Sequence, residues 1–276
     1  MGFKRDSIYH TSLGIKVIDE NKLGVAYPEI SFGEEGTVYK YDKHIAMKIF
    51  SHFEDQEVIN KKFEKIEELG QMKDKEFCFP KGIIGFMDLK KEGYGMELVV
   101  PNKKCANFNE LHKLANPEAE MDYLLRGDRA IARIHKRNIV IGDVRFDHIL
   151  INKDGEIRFC DTDNYQTANY DFDLIPNRSK WLLNMYHQKY SGIDNDIFVY
   201  TLLVLKHLIP EIKFNNRLDV EHIKKIIKLL DTDNEVKEGL SLILSDAPYK
   251  PYLTKVLKKI NPNKPLITEV NLGKLR

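Results

Sequence analysis

The chain contains 276 residues, 42% of them hydrophobic and 31% charged, so it is long enough to bury one or two cores of ordinary size. Its 43 basic and 42 acidic residues give a net charge of +1, which excludes a strong overall field for nucleic acid or a membrane surface. No apolar run reaches the roughly 18 residues that a membrane-spanning helix needs, and the charged N-terminal residues are not followed by an apolar core. We therefore expect a soluble, cytoplasmic globular protein with neither nucleic acid nor membrane as a partner.

The first hundred residues are predicted to form strands and one helix. β-Branched and aromatic residues between Gly and Asp turns predict the strands GVAYPEI, TVYKY, IAMKIF, FPKGIIGFMD and YGMELVV. Ile59, Phe63 and Ile66 recur at helical spacing, and Gly70 ends that helix. The earlier segment GIKVIDENKLGVAYPEI is hairpin-like and is expected to dock onto this part of the protein.

From Ala106 onward the pattern is mainly helical. MDYLLRGDRAIARIHKR places Leu124 and Ile131 on one apolar stripe, and the segment from Asp196 (DIFVYTLLVLKHL) is apolar almost all round, which predicts a buried helix. VEHIKKIIKLL and KPYLTKVLKKI predict two amphipathic helices. The exceptions are three short apolar strands at 139–141, 149–151 and 157–159, the last two joined by the turn signal Asn152-Lys153-Asp154-Gly155. A small sheet-rich part followed by a larger helical part predicts an α+β protein with a cleft near residue 100.

Two small features predict nothing beyond ordinary surface and core. Cys78, Cys105 and Cys160 are odd in number and lack metal-ligand spacing, so we expect reduced thiols. The lysine pairs Lys61-Lys62 and Lys258-Lys259 are predicted to be solvated surface.

Two aspartates carry the chemistry that the sequence predicts. Asp143 lies in a short loop between apolar runs, and Asp161 follows the second strand of the hairpin, within IGDVRFDHILINKDGEIRFCDTDNYQ. Phosphoryl transfer from ATP requires such a pair, because one carboxylate can accept a proton from the attacking hydroxyl and the other can hold a metal ion on the nucleotide phosphates.

In this order of motifs the sequence resembles the protein-kinase superfamily, from about Ser31 to about Leu205. Ser31-Phe32-Gly33-Glu34-Glu35-Gly36-Thr37-Val38 resembles its glycine-rich phosphate loop, and Ala46-Met47-Lys48 resembles the Ala-x-Lys of its third strand. Lys48 and Asp143 are 95 positions apart and Asp143 and Asp161 are 18 apart, spacings typical of the family. The resemblance implies a single domain (1–276) with a bilobal protein-kinase-like fold: a β-rich N-lobe (1–99) with one main helix and a mainly helical C-lobe (100–276).

The resemblance also implies a nucleotide site. Lys48 would contact the α and β phosphates and pair with Glu64 of the following helix, with Glu67 as the alternative. Met96 would border the adenine pocket, the backbone from Glu97 to Val99 would meet the base, and Cys160 would line the pocket floor. The full set of ATP-binding residues that the resemblance implies is Gly33, Gly36, Val38, Ala46, Lys48, Glu64, Met96, Glu97, Val99 and Cys160.

The catalytic roles follow in the same way. Asp143 would be the catalytic base, Arg145 would neutralise the transferred phosphate, and Asp161 would bind Mg²⁺. Asp196 resembles the aspartate that braces the catalytic loop through its backbone amides. His148 replaces the metal-binding asparagine of the family, which suggests a second metal site that is weak or prefers Mn²⁺; a purely structural His148 is the alternative.

Other departures concern regulation and subgroup. Ile141-Gly142 replaces the family's His-Arg, so activation through a phosphorylated loop is not expected. A Gly-Asp pair also occurs in Rio-type kinases and aminoglycoside phosphotransferases, while Asp161-Thr162-Asp163 is most similar to a bacterial group of divergent kinases. No Ala-Pro-Glu closes the segment between Asp161 and Asp196, whose hydroxyls are Tyr165, Thr167, Tyr170, Ser179 and Ser191.

The resulting prediction is an ATP-dependent phosphotransferase, a divergent Ser/Thr protein kinase that uses ATP with Mg²⁺ or Mn²⁺. Its expected partners are ATP and a protein substrate, with the chain itself as one candidate acceptor by autophosphorylation. Two alternatives stay open from the sequence: a small-molecule kinase of the aminoglycoside or Rio-like type, and an ATP-binding pseudokinase.

Overall fold

The computed structural model of the protein describes residues 12–33, 35–51, 56–87, 90–171, 192–209, 220–245, 247, 250–268 and 271. The N-terminal part forms a six-stranded mixed sheet. Its strands are β1 (Ile15–Val17), β2 (Glu29–Gly33), β3 (Gly36–Lys40), β4 (Ile45–Phe50), β5 (Gly82–Gly85) and β6 (Lys91–Glu97). The strand order is β1-β5-β6-β4-β3-β2, and every pair is antiparallel except β1 with β5.

Two predictions about the first strands need correction. GVAYPEI is not one strand, because the Lys22 carbonyl accepts hydrogen bonds from the amides of Val25, Ala26 and Tyr27, and β2 begins only after Pro28, which has no amide hydrogen. The N-terminal segment does dock onto the sheet, as expected, but as a parallel strand beside β5 rather than as a hairpin.

Helix α1 (Gln56–Gly70) covers one face of this sheet, as the spacing of its apolar residues predicts. Phe63 and Ile66 are buried against Ala46, Phe50 and Tyr94, which lie on the same face of β4 and β6. Side chains alternate between the two faces of a strand. Lys48 lies two residues after Ala46 and two residues before Phe50, so it faces α1 as well. The sheet therefore directs this lysine toward the helix and away from the opposite face.

The second part of the chain is mainly helical. It contains α2 (Pro117–His135), α3 (Ile193–Leu208), α4 (Val220–Leu229), α5 (Asn234–Ile243) and α6 (Thr254–Leu257). Helix α3 is buried along most of its length, as its sequence predicts. Within the described residues no helix is both long and apolar enough to cross a membrane.

Three boundaries in the helical part differ from expectation. Helix α2 begins earlier because the Asn116 side chain accepts from the amides of Glu118 and Ala119 and Pro117 occupies the first turn. Helix α6 is only four residues long; the Asp128 carboxylate accepts from the amides at its start, and Pro251 precedes it. The predicted strand at 139–141 is reduced to one bridge between Val140 and Gln166.

A short hairpin of β7 (Ile149–Ile151) and β8 (Ile157–Phe159) joins the helical part to the sheet-containing part, and both strands match the prediction. The Phe159 amide donates to the Glu76 carbonyl and the Cys78 amide donates to the Phe159 carbonyl, at 2.7 and 2.8 Å. Residues after α1 thus fix the end of β8, which is where Asp161 lies. The structure is an α+β protein with a mixed N-terminal sheet followed by helices, in agreement with the predicted class.

Candidate functional site

Lys48 is the centre of a buried cluster of charged residues. It is 5% exposed, and its register in the sheet sets it opposite Val38 and Tyr94. Its ammonium nitrogen lies 2.6 Å from Asp161 Oδ1, 3.0 Å from Asp163 Oδ1 and 3.3 Å from Glu35 Oε2. Residues separated by up to 115 positions in sequence therefore meet at one lysine.

The two aspartates are positioned by the segment that follows β8. Asp161 adopts a left-handed conformation (φ 57°, ψ 46°), and a single turn of 3-10 helix, Thr162–Asn164, follows it. The Thr162 hydroxyl donates to the Cys78 carbonyl at 3.1 Å, which holds this turn against the segment after α1. As a result Asp163 is fully buried, and it accepts a hydrogen bond of 2.7 Å from the Tyr94 hydroxyl.

Helix α1 contributes a lysine to this cluster, which corrects the prediction for the pair Lys61-Lys62. Lys62 is 2% exposed, and its nitrogen lies 3.3 Å from Asp163 Oδ2 and 3.6 Å from Glu35 Oε2. The pair Lys61-Lys62 is therefore not simply solvated surface, although the Lys61 side chain is 65% exposed. Lys62 falls three positions after Ile59 and four before Ile66, so the apolar spacing that predicts α1 also places Lys62 on its buried face.

The expected ion pair between Lys48 and Glu64 is not formed in the part of the chain that the structure describes. Glu64 is exposed and accepts from the Tyr170 hydroxyl at 3.2 Å, while the alternative partner Glu67 accepts from the Ser12 amide at 3.1 Å. The rotation of α1 explains this result, because the helix directs Lys62 rather than Glu64 toward the sheet.

The glycine-rich segment forms the hairpin between β2 and β3, with Gly33 paired to Gly36. A β-carbon on Gly36 would lie 2.2 Å from the Ile49 carbonyl oxygen, so packing against β4 requires glycine there. A β-carbon on Gly33 would lie 4.0 Å from the Gly36 carbonyl oxygen, which is ordinary contact. From the turn, Glu35 directs its carboxylate inward. Its Oε2 accepts from Asn164 Nδ2 at 2.7 Å in addition to contacting the lysines.

The two aspartates of this cluster have opposite pKa shifts. Burial raises the pKa of Asp161, and the neighbouring charge of Asp163 raises it further. Burial also acts to raise the pKa of Asp163, but Lys48 and Lys62 outweigh that effect and hold it far below the usual range. Burial by itself would lower the pKa of Lys48, yet the surrounding carboxylates raise it well above its ordinary value. Lys48 therefore stays charged, and Asp163 is its fixed counter-ion.

The loop that contains Asp143 is braced by α3. Asp196 is 1% exposed and accepts from the amides of Ile141 and Gly142 at 2.7 and 2.8 Å, as the resemblance implies, and from His135 Nε2 at 2.8 Å. Asp143 itself is partly buried at the end of this braced segment. The bracing holds its backbone in one place.

Arg145 is hydrogen-bonded to Asp147 and interacts electrostatically with Asp143 and Asp161. Its guanidinium forms two hydrogen bonds with Asp147, which raise the pKa of Arg145, and the charges of Asp143 and Asp161 raise it further. The Cys160 amide donates to the His148 carbonyl at 2.8 Å, so the His148 backbone lies beside the residue that precedes Asp161.

The residues expected around the adenine base lie along β4 and β6. Ala46 and Met96 are buried cross-strand neighbours, and Val38 packs on the same cluster. The Glu97 carboxylate accepts from Arg158 at 3.2 Å, and the half-buried Val99 follows β6. The Leu98 amide, expected to face the base, donates to the His44 carbonyl at 2.8 Å.

Cys160 directly precedes Asp161, and its sulfur lies 3.7 Å from that of Cys78. Contact with the Cys78 thiol and burial raise the pKa of Cys160 well above its usual value, so it stays a neutral thiol. Tyr165 and Thr167 are buried, and Tyr170 is bonded to Glu64. Ser179 and Ser191 lie outside the described residues.

The donors present fit a divalent ion that arrives together with phosphate. Among the described residues no group of three or more His, Cys, Asp or Glu side chains is arranged to hold a metal ion. However, the Asp161 side chain is 33% exposed, and its Oδ2 makes no hydrogen bond to any described residue. Magnesium is commonly held by one or two carboxylates plus substrate phosphates, so Asp161 suits that role.

A cavity of about 760 Å³ lies beside the Asp143 loop, within the helical part. The lining includes Asp143, Arg145 and Asp147. It also includes His207 of α3, which is bonded to Glu120 of α2 at 2.9 Å. Its volume is within the range of small-molecule sites. Its lining includes Asp143 but not Lys48, Asp161 or Asp163.

Comparison with known proteins assigns no family to this chain. No family model matches the sequence, and no curated protein matches it significantly.

Proposed function

We propose that the protein is an ATP-dependent phosphotransferase with a bilobal protein-kinase-like fold, and that it transfers the γ-phosphoryl group to a Ser or Thr hydroxyl of a protein. The observation that carries this proposal is the contact of Lys48 with Asp161 at 2.6 Å, across 113 positions of sequence. Positioning of a triphosphate needs a lysine and an aspartate beside a catalytic loop. Here the lysine comes from a strand, the aspartate comes from a distant turn, and the braced loop of Asp143 lies beside them.

Each residue has a chemical role in this proposal. Lys48 binds phosphate oxygens, and the buried Asp163 keeps its ammonium charged and oriented. Asp143 accepts the proton of the acceptor hydroxyl, and Arg145, beside both aspartates, offsets negative charge on the transferred group. Asp161 would hold a divalent ion, which supplies charge neutralisation on the phosphates when it is bound.

The cavity beside Asp143 favours a second candidate, a small-molecule kinase. Its 760 Å³ could enclose a polar acceptor whose hydroxyl reaches Asp143, which lines the cavity. A protein acceptor would instead bring its hydroxyl along the surface. The two candidates share the chemistry and differ only in the acceptor.

A cytoplasmic location is part of the proposal. ATP is supplied there, and Cys78, Cys105 and Cys160 all have free thiols in the structure. Free buried thiols suit a reducing compartment.

The test is a transfer assay with labelled ATP, Mg²⁺ or Mn²⁺, and either a generic protein or a panel of small hydroxyl compounds. Asp143→Asn should lower the rate by about 10²–10⁴-fold, because it removes the base. Asp154→Asn is the matched control, since Asp154 lies in the exposed β7–β8 turn.

Each outcome of this assay identifies one of the candidate functions. Label on protein that Asp143→Asn abolishes supports the protein kinase, and label only on a small compound supports the second candidate. Nucleotide binding without transfer in either metal would refute both and leave an ATP-binding pseudokinase. Full activity in Mg²⁺, with no preference for Mn²⁺, would refute the metal preference expected from His148.

A further inference from the structure

Two buried lysines of the site share the same carboxylates. Lys48 from β4 and Lys62 from α1 both contact Asp163 and Glu35, at distances of 3.0 to 3.6 Å. Removing a second ammonium group from water is costly unless counter-charges and hydrogen bonds surround it. The position of Lys62 is therefore specific, since the Asp163 and Glu35 carboxylates supply those counter-charges.

Glu35 differs from the other two carboxylates in where it comes from. Asp161 and Asp163 belong to the turn after β8, whereas Glu35 lies at the tip of the β2–β3 hairpin, and every residue of β2 is exposed. A single oxygen, Glu35 Oε2, lies 2.7 Å from Asn164 Nδ2, 3.3 Å from Lys48 and 3.6 Å from Lys62. Two donors and a further ammonium group around one anionic oxygen is also how a protein holds a phosphate oxygen.

We propose that Lys48 and Lys62 form a two-lysine subsite for the triphosphate, and that the Glu35 carboxylate occupies it in the free protein until phosphate displaces it. This inference rests on the proposed function, because it concerns the phosphates of that substrate. A phosphate chain carries more negative charge than one carboxylate, so it competes successfully for both ammonium groups. Asp163, fully buried and held by the Tyr94 hydroxyl, stays in place as a counter-charge to the lysines.

The proposal predicts changes of opposite sign for the two partners. Glu35→Gln removes the competing charge, so phosphate should bind about five-fold tighter or more. Lys62→Met keeps an unbranched side chain against the Phe50 ring, over which the ammonium lies at 4.7 Å, but removes one cation. Phosphate should then bind about ten-fold more weakly.

The experiment is calorimetric titration of inorganic tripolyphosphate and of ATP, both in EDTA so that metal does not contribute. Glu29→Gln, on the exposed face of the same hairpin, and Lys61→Gln, whose side chain is 65% exposed, are the matched controls and should bind like the wild type. Far-UV circular dichroism checks folding. If Lys62→Met does not fold, Glu35→Gln carries the test, since the Glu35 side chain is 19% exposed at a turn.

The outcomes separate this inference from the proposed function. Wild-type affinity in both Glu35→Gln and Lys62→Met would overturn the two-lysine subsite while leaving phosphoryl transfer intact if turnover is observed. Tripolyphosphate binding that depends on Glu35 and Lys62, with no transfer to any acceptor, would uphold the subsite and refute the kinase. Binding of neither ligand to any folded variant would overturn the subsite.

Discussion

Replacing Asp196 by alanine should destabilise the protein and release the loop that carries Asp143. Asp196 accepts from the amides of Ile141 and Gly142 at 2.7 and 2.8 Å and from His135 at 2.8 Å, with 1% of its surface exposed. A hydrogen bond to a charged group contributes about 1.5–3 kcal/mol. Rehydration of the loop recovers part of the loss, so we expect the free energy of unfolding to fall by about 3–5 kcal/mol.

Two further variants sharpen this test. Asp196→Asn keeps one acceptor oxygen but presents an amide group to the other donor, so its loss should be intermediate. Asp194→Ala is the matched control, because Asp194 also lies in the first turn of α3 and shares its favourable interaction with the helix dipole, worth at most about 1 kcal/mol there. The difference between Asp196→Ala and Asp194→Ala therefore isolates the buried hydrogen bonds.

The measurement is urea unfolding followed by far-UV circular dichroism, together with hydrogen exchange of the loop amides. Exchange at Ile141 and Gly142 should accelerate in Asp196→Ala and stay slow in Asp194→Ala. A loss below about 1 kcal/mol, or unchanged protection of both amides, would refute the bracing role.

Three other predictions concern the buried cluster and the helix core. Tyr94→Phe keeps the ring but removes the donor that bonds Asp163 at 2.7 Å, so urea unfolding should show a loss of about 1.5–3 kcal/mol; an unchanged midpoint would contradict the role of this bond. Gly127→Ala would bring a β-carbon within 2.3 Å of the Tyr200 hydroxyl, which donates to the Leu124 carbonyl, and should cost about 1–3 kcal/mol despite the better helix propensity of alanine. A thermal midpoint at or above that of the wild type would disprove this clash. Ionised Asp163 has a pKa below its unfolded value of about 3.9, so its stabilisation is present above about pH 4 and is lost as the pH falls further. As the pH is lowered into the acid range, the free energy of unfolding should therefore fall less steeply in Asp163→Asn than in the wild type. Equal slopes of unfolding free energy against pH in the two proteins would argue against this role of Asp163.

Local patterns in the sequence were enough to predict much of the framework. Apolar spacing predicts α1 and the buried α3, and the turn Asn152-Lys153-Asp154-Gly155 predicts the β7–β8 hairpin. These succeed because periodicity and turn chemistry act over a few residues. GVAYPEI fails as a strand because hydrogen bonds to the Lys22 carbonyl form a turn there instead.

Part of the site was also predictable. The resemblance to the protein-kinase superfamily implies that Lys48, Asp143 and Asp161 converge, and Lys48 and Asp161 are in contact. The Asp-Thr-Asp motif is visible in the sequence, but it does not reveal that Asp163 is fully buried between two lysines. That burial depends on the Thr162–Asn164 turn packing beneath the sheet.

The sequence by itself determined the α+β class, the helical and strand periodicities and the order of the charged residues along the chain. Only the tertiary structure decided which of them pair. Glu64 and Lys62 lie two positions apart on one helix, and the rotation of α1 against the sheet exposes the first and buries the second. Glu35 meets Lys48 because the β2–β3 hairpin pairs with β4 in the sheet. Such ion pairs join distant elements, so they follow from how helix and sheet pack together, which no local pattern records.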